Sequence, residues 1–113
     1  MEFVDRYFTD PELSFFLFGP RGTGKSTWLK RQYKDALYID LLSPELFRRY
    51  AAKPERLREA VEGNPDKQII IIDEIQKVPN LLDIVHQLIE EKKELKFILT
   101  GSSSRKLKRP KGI

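Results

Sequence analysis

Gly19-Pro20-Arg21-Gly22-Thr23-Gly24-Lys25-Ser26 reads G-x-x-x-x-G-K-S, the spacing of a loop that cradles phosphate groups. Four fixed positions can arise by chance, so the flanks must supply the strand–loop–helix setting that such a loop needs. Upstream, Ser14 to Phe18 contains the apolar run Phe15-Phe16-Leu17-Phe18, suited to a buried strand. Downstream, Thr27-Trp28-Leu29-Lys30-Arg31-Gln32-Tyr33-Lys34 has no Gly or Pro and continues as a helix. Gly22 and Gly24 open backbone angles closed to other residues, so that successive N–H groups converge on an anion. The helix behind them points its positive end the same way. Lys25 adds a full charge for the β- and γ-phosphates, and the Ser26 hydroxyl is a hard oxygen ligand for Mg²⁺. A plain Gly-rich turn would give no reason for Lys-Ser at this offset.

The rest of the chain alternates. Ala36 to Asp40 reads as a second strand ending in an acid. Ser43-Pro44-Glu45 is a helix start, with a capping hydroxyl, Pro in the first turn and an acid at the positive end. Pro54-Glu55 restarts that helix, with Leu57 and Val61 on one face, and Gly63 to Asp66 closes it. Gln68 to Glu74 carries four successive isoleucines, an unbroken β-branched run that marks a strand of a parallel sheet buried on both faces. Pro79-Asn80 opens a helix with the apolar stripe Leu81, Leu82, Val85, Leu88 and Ile89, and Leu95 to Thr100 is the fourth strand. This alternation specifies an α/β sheet with right-handed crossovers.

Ligands of such sheets sit beyond the carboxyl ends of the strands. The first strand ends at the phosphate loop, the third at Asp73-Glu74 and the fourth at Thr100-Gly101-Ser102, so three polar clusters fall on one rim. Asp73 is placed to hold Mg²⁺ opposite Ser26, directly or through its water shell. Glu74 is placed to orient and deprotonate a water attacking the γ-phosphate. An isolated Asp-Glu would read as two surface acids, but after four isoleucines a buried carboxylate pair needs compensation. Thr100 and Ser102, with Ser103 behind them, offer hydroxyls to a phosphate oxygen or the attacking water. A polar strand-to-loop turn explains them equally well, and the residues leave open which hydroxyl points inward.

The strings Gly19 to Ser26, Ile71-Ile72-Asp73-Glu74-Ile75-Gln76-Lys77-Val78-Pro79 and Leu99-Thr100-Gly101-Ser102-Ser103 together resemble the prokaryotic AAA-type ATPases. The resemblance runs from about Leu13 to the end of the chain. It points to a subgroup with a D-E-I-Q-K-V-P acidic motif and a T-G-S-S sensor, normally followed by a C-terminal domain of uncharacterised function. It implies a P-loop three-layer sandwich with a mainly parallel sheet in the order second-third-fourth-first strand. It implies ATP and Mg²⁺ as ligands, bound by Gly19, Pro20, Arg21, Gly22, Thr23, Gly24, Lys25, Ser26 and Thr27. Ser26 and Asp73 would hold the metal, Lys25 and Glu74 would act in catalysis, and Thr100 and Ser102 would be the sensor. The relatives continue into a fifth strand, a helical lid and an arginine finger reaching a neighbouring subunit. Residues 1–104 therefore read as the N-terminal part of the ATPase domain and residues 105–113 as an interrupted basic tail. The expected consequence is binding of nucleotide with slow or no hydrolysis, because an arginine finger contributes roughly 10³–10⁵ in rate.

Composition bounds the remaining classes. The chain has 113 residues, 40% hydrophobic and 34% charged, which suits one globular domain. It has no cysteine, so disulfides and thiolate metal sites are excluded and a reducing cytoplasm fits. No signal peptide is visible, and the longest apolar run, Ile69 to Ile72, is far too short to span a bilayer, so no membrane partner is expected. Of 21 Lys and Arg, five lie after position 104 with no acid among them, leaving 16 to face 17 acids elsewhere. The net charge of +4 is thus a property of the tail. The tail is either a solvated segment or a contact for nucleic-acid phosphates, and no interleaved aromatic supports base stacking. Three activities compete: an ATPase driving a conformational change, with a homo-oligomer in the intact protein; a nucleotide-gated binding module, for nucleic acid among other partners; and a small-molecule kinase. No Asn-Lys-x-Asp guanine motif is present. Phe3, Tyr7 and Phe8 read as a short leading helix packed on the core, Trp28 as core, and His86, the single histidine, as a surface or core-margin residue.

Overall fold

Ile69–Asp73, called β3, is the strand on which the others assemble. Its isoleucines at 70, 71 and 72 are all fully buried, which only a strand covered on both faces allows. The computed structural model describes residues 15–18 and 24–101. In chain order the other elements are β1 (Phe15–Phe18), α1 (Lys25–Gln32), β2 (Leu37–Asp40), α2 (Pro44–Ala52), α3 (Arg56–Glu62), a 3₁₀ turn at Ile75–Lys77, α4 (Leu81–Glu91) and β4 (Lys96–Gly101). The four strands form one parallel sheet in the order β1-β4-β3-β2.

The period-2 alternation of side chains divides the core between two faces. Ile70, Ile72, Phe97, Leu99 and Ile39 pack with Leu57 and Val61 of α3 and Leu81, Val85 and Leu88 of α4. Ile71 and Ile98 turn the other way and meet Leu29 of α1, with Trp28, Tyr33, Ala36, Tyr38 and Ile69 around them. A sheet between two helical layers results. Trp28, expected in the core, is only half-buried at the margin of this smaller cluster.

Local chemistry sets the helix boundaries. The Ser43 hydroxyl accepts from the Leu46 N–H at 3.4 Å, and Pro44 fills the first turn of α2. The helix breaks at Lys53 and resumes at Arg56, so the restart expected at Pro54 gives two short helices. Several strand ends differ by a residue or two from the sequence reading. The largest consequence is at β3, which stops at Asp73 because Glu74 leaves the extended conformation with φ 65° and ψ 52°. Gly63 closes α3 in a right-handed conformation, φ −76°, in place of a left-handed glycine cap. His86 is exposed on α4. Phe3, Tyr7, Phe8 and the basic tail lie outside the described residues.

Candidate functional site: an acidic strand end under the first helix

The strand parity that builds the core also builds the site. On β3 the residues sharing a face with Ile71 are Ile69 and Asp73; on β4 the residues sharing a face with Ile98 are Lys96 and Thr100; on β2 Tyr38 lies on the same face. Tyr38 is in register with Ile71, and Ile72 with Leu99, so Asp73 and Thr100 emerge side by side. All of them look toward α1, whose first turn carries Ser26. Gly24 precedes this helix at φ 83°, and its carbonyl accepts the Trp28 N–H at 2.9 Å. A Cβ at Gly24 would meet nothing within 4 Å. The requirement for glycine is therefore conformational, a left-handed backbone that costs other residues about 1–2 kcal/mol.

Asp73 is 2% exposed and is the hub of the cluster. Its Oδ2 accepts from the Ser26 hydroxyl at 2.6 Å, bringing together residues 47 positions apart, and from the Tyr38 hydroxyl at 2.5 Å. Its Oδ1 accepts from the Thr100 hydroxyl at 2.5 Å. Thr100 is fully buried, and its oxygen in turn accepts the Glu74 backbone N–H at 2.9 Å. Burial, followed by the bond to Asp73, pushes the Tyr38 phenol far above its usual pKa. Tyr38 therefore stays a neutral donor at any physiological pH.

Glu74 is 2% exposed, and its Oε1 accepts from the Gln76 amide at 2.6 Å. Its left-handed backbone makes it the one non-glycine residue with positive φ among the described residues. Such strain persists where the surroundings over-determine it, and it collects at functional sites. The strain has a measurable signature. Glu74→Gly should be more stable than Glu74→Ala by about 1 kcal/mol, reversing the usual preference for Ala over Gly, because only Ala keeps the left-handed penalty. Chemical denaturation of the two variants checks this, and an Ala variant of equal or higher stability would refute it.

Of the residues singled out in the sequence, Ser26, Asp73, Glu74 and Thr100 come together here. Thr100 turns its hydroxyl onto Asp73 and the Glu74 backbone. Gly24 lies at the helix start, Thr27 is exposed one position beyond Ser26, and Lys25 begins α1. Gly19, Pro20, Arg21, Gly22, Thr23 and Ser102 lie outside the described residues. Tyr38 is absent from the residues the sequence singles out. Its only signal is its parity with Asp73 on a neighbouring strand, which is readable once β2 is known to pair with β3. Gln76, two positions beyond Glu74, donates its amide to that carboxylate.

The cluster is a set of hard oxygen donors, hydroxyl and carboxylate, at the positive end of a helix. That donor chemistry fits Mg²⁺, which takes one or two carboxylates or hydroxyls and leaves its remaining positions to water and phosphate. A separate cavity of about 350 Å³ opens at the opposite end of the strands, beside Tyr33, Ala36, Gln68 and Ile69, and includes none of these donors.

Among the described residues no helix is long and apolar enough to cross a membrane. A family model described as "AAA domain" matches residues 12–112, while no curated protein matches the chain. The match takes in the glycine-rich loop, α1, the acidic end of β3 and the end of β4, and on it the chain belongs to the AAA domain family.

Proposed function

We propose that this chain is the ATP- and Mg²⁺-binding core of an AAA-type ATPase, in which nucleotide binding and hydrolysis drive a conformational change. Family membership supports a nucleotide-binding, ATPase-like module. The single observation that carries the finer reading is the 2.6 Å bond between Ser26 and Asp73. It joins the helix behind a phosphate loop to the acid at a strand end, the arrangement a metal-bound triphosphate requires.

In this reading residues Gly19 to Ser26, with Thr27, wrap the phosphates through backbone N–H groups, and Lys25 neutralises the β- and γ-oxygens. Ser26 and Asp73 would hold Mg²⁺, directly or through its water shell, and the ion would supply positive charge against the charge that develops on the phosphates. Glu74 accepts a proton from the attacking water. Gln76 keeps that carboxylate oriented, and Thr100 fixes both acids by accepting from one backbone and donating to the other side chain. The subgroup suggested by the acidic and sensor strings, and an oligomer formed by the intact protein, belong to the same proposal.

The test is a nucleotide titration of the 113-residue chain with Mg²⁺ and with a chelator. ATP should bind tighter in Mg²⁺ by at least tenfold, as expected for a metal clamped between protein and phosphate. Equal affinity in both conditions would refute the site.

A further inference from the structure

Three elements hold Asp73, and one of them has no part in the reading above. Ser26 comes from α1 and Thr100 from β4; Tyr38 comes from β2, and its hydroxyl shares Oδ2 with that of Ser26. A carboxylate oxygen has two lone-pair directions, so these two donors fill Oδ2. A serine hydroxyl has one proton. While Ser26 spends it on Oδ2, both of its lone pairs stay available to another partner. If Asp73 turned, the Ser26 proton would follow it and those lone pairs would re-aim.

Tyr38 is well suited to prevent that turn. A phenol on a rigid ring fixes its hydroxyl with two torsions, whereas a serine rotor adapts to any acceptor. The ring is held from two sides, packed in the cluster of Leu29, Ile71 and Ile98 and lying 5.0 Å from the Lys30 ammonium on α1. The ring, the strand pair β2–β3 and the helix behind the phosphate loop thus form one support.

We propose that Tyr38 is a positioning residue for the divalent cation. By donating to Asp73 Oδ2 it fixes the carboxylate, and through the carboxylate it fixes the Ser26 hydroxyl with its lone pairs presented to the metal. The inference rests on the Mg²⁺–nucleotide reading and adds a residue to it. An ordinary structural tyrosine, bonded to the nearest acceptor, would matter for stability alone. The two roles differ in what a missing hydroxyl changes.

Tyr38→Phe removes the hydroxyl and keeps the ring with its Lys30 contact. ATP affinity of the full chain is measured by calorimetry with Mg²⁺ and with EDTA, alongside a thermal melt. The variant should lose about tenfold in affinity with Mg²⁺, the lower end of the range for groups that orient metal ligands. Its affinity in EDTA should stay within about twofold of the parent, since a metal-orienting hydroxyl acts only when the metal is bound. Tyr38→Leu, which also removes the ring from Lys30, should show the same selective loss and a lower melting temperature. Unchanged Mg²⁺ dependence in Tyr38→Phe, tighter binding with Mg²⁺, or equal losses with and without metal would each overturn the proposal. A parent chain that binds ATP equally with and without Mg²⁺ would instead sink the reading of the site, so the two failures are distinguishable.

Discussion

Glu74→Gln should lower even the slow ATP hydrolysis expected of this chain by about 10²–10⁴-fold, the usual contribution of a positioned general base. Affinity for ATP with Mg²⁺ should stay within about threefold, because the substitution is isosteric and removes one charge that no phosphate needs. The local structure favours a clean comparison. The Glu74 side-chain oxygen accepts from Gln76, and its backbone N–H donates to Thr100. A glutamine at position 74 keeps an acceptor for the first bond and leaves the second untouched. The left-handed backbone is unaffected as well, so the change is confined to proton affinity. Single-turnover hydrolysis with protein in excess over ATP is the measurement, since it reads the chemical step apart from product release. Transfer of phosphate to an added small-molecule acceptor in the same assay would redirect the reading to a kinase. A variant with the parental rate would mean that the water is activated elsewhere. Loss of binding in proportion to rate would make Glu74 a ligand and not a base.

Much of the arrangement behind that prediction is written in the residues. The four isoleucines before Asp73 require burial on both faces, and Ile70, Ile71 and Ile72 are indeed fully buried. The stripe on α4 and the pair Leu57 and Val61 on α3 face the same core. Placing Ser26 near Asp73 needed only the rule that polar strand ends of a parallel sheet share a rim. Other features depend on pairings that no local pattern encodes. Three hydroxyls, Thr100, Ser102 and Ser103, stand at or just past the end of β4 in sequence, and nothing local tells which one points inward. Once β4 lies beside β3, parity alone puts Thr100 on the Asp73 face. Tyr38 is harder still, because its hydroxyl reaches Asp73 only through the β2–β3 register and the side-chain length of a phenol. The strand order itself was implied by resemblance and not by any residue pattern. The left-handed backbone of Glu74 had no local signal either, since the usual markers for that conformation are Gly, Asn and Asp. Its backbone N–H is met by Thr100, a partner 26 positions away that no local pattern names.

Asp73→Ala should abolish the effect of Mg²⁺ on nucleotide binding, lowering ATP affinity in Mg²⁺ by about 100-fold, the upper part of the range for groups that hold or orient a metal ligand. The two conditions should move in opposite directions. With EDTA, a negative triphosphate no longer faces a buried carboxylate, and removing that like charge raises affinity. With Mg²⁺, the clamp between Ser26 and the strand end is gone and affinity falls. The two binding curves should therefore converge, a result that general damage to the phosphate loop cannot mimic, since damage lowers both. Stability responds separately. Ser26, Tyr38 and Thr100 all lose their acceptor, but Ser26 and Tyr38 are only partly buried and can turn to water. Thr100 is fully buried and keeps only the bond it accepts from Glu74. One buried hydroxyl proton left unmet costs about 1–3 kcal/mol, which sets the expected loss on chemical denaturation. Asp73→Asn separates the two effects within one position. Its carbonyl oxygen still accepts from Thr100, so stability should recover most of that loss, while the missing charge leaves the Mg²⁺ effect suppressed. If Asn restored metal-dependent binding together with stability, Asp73 would be a scaffold for its hydroxyls, and the metal would have to be held by another group.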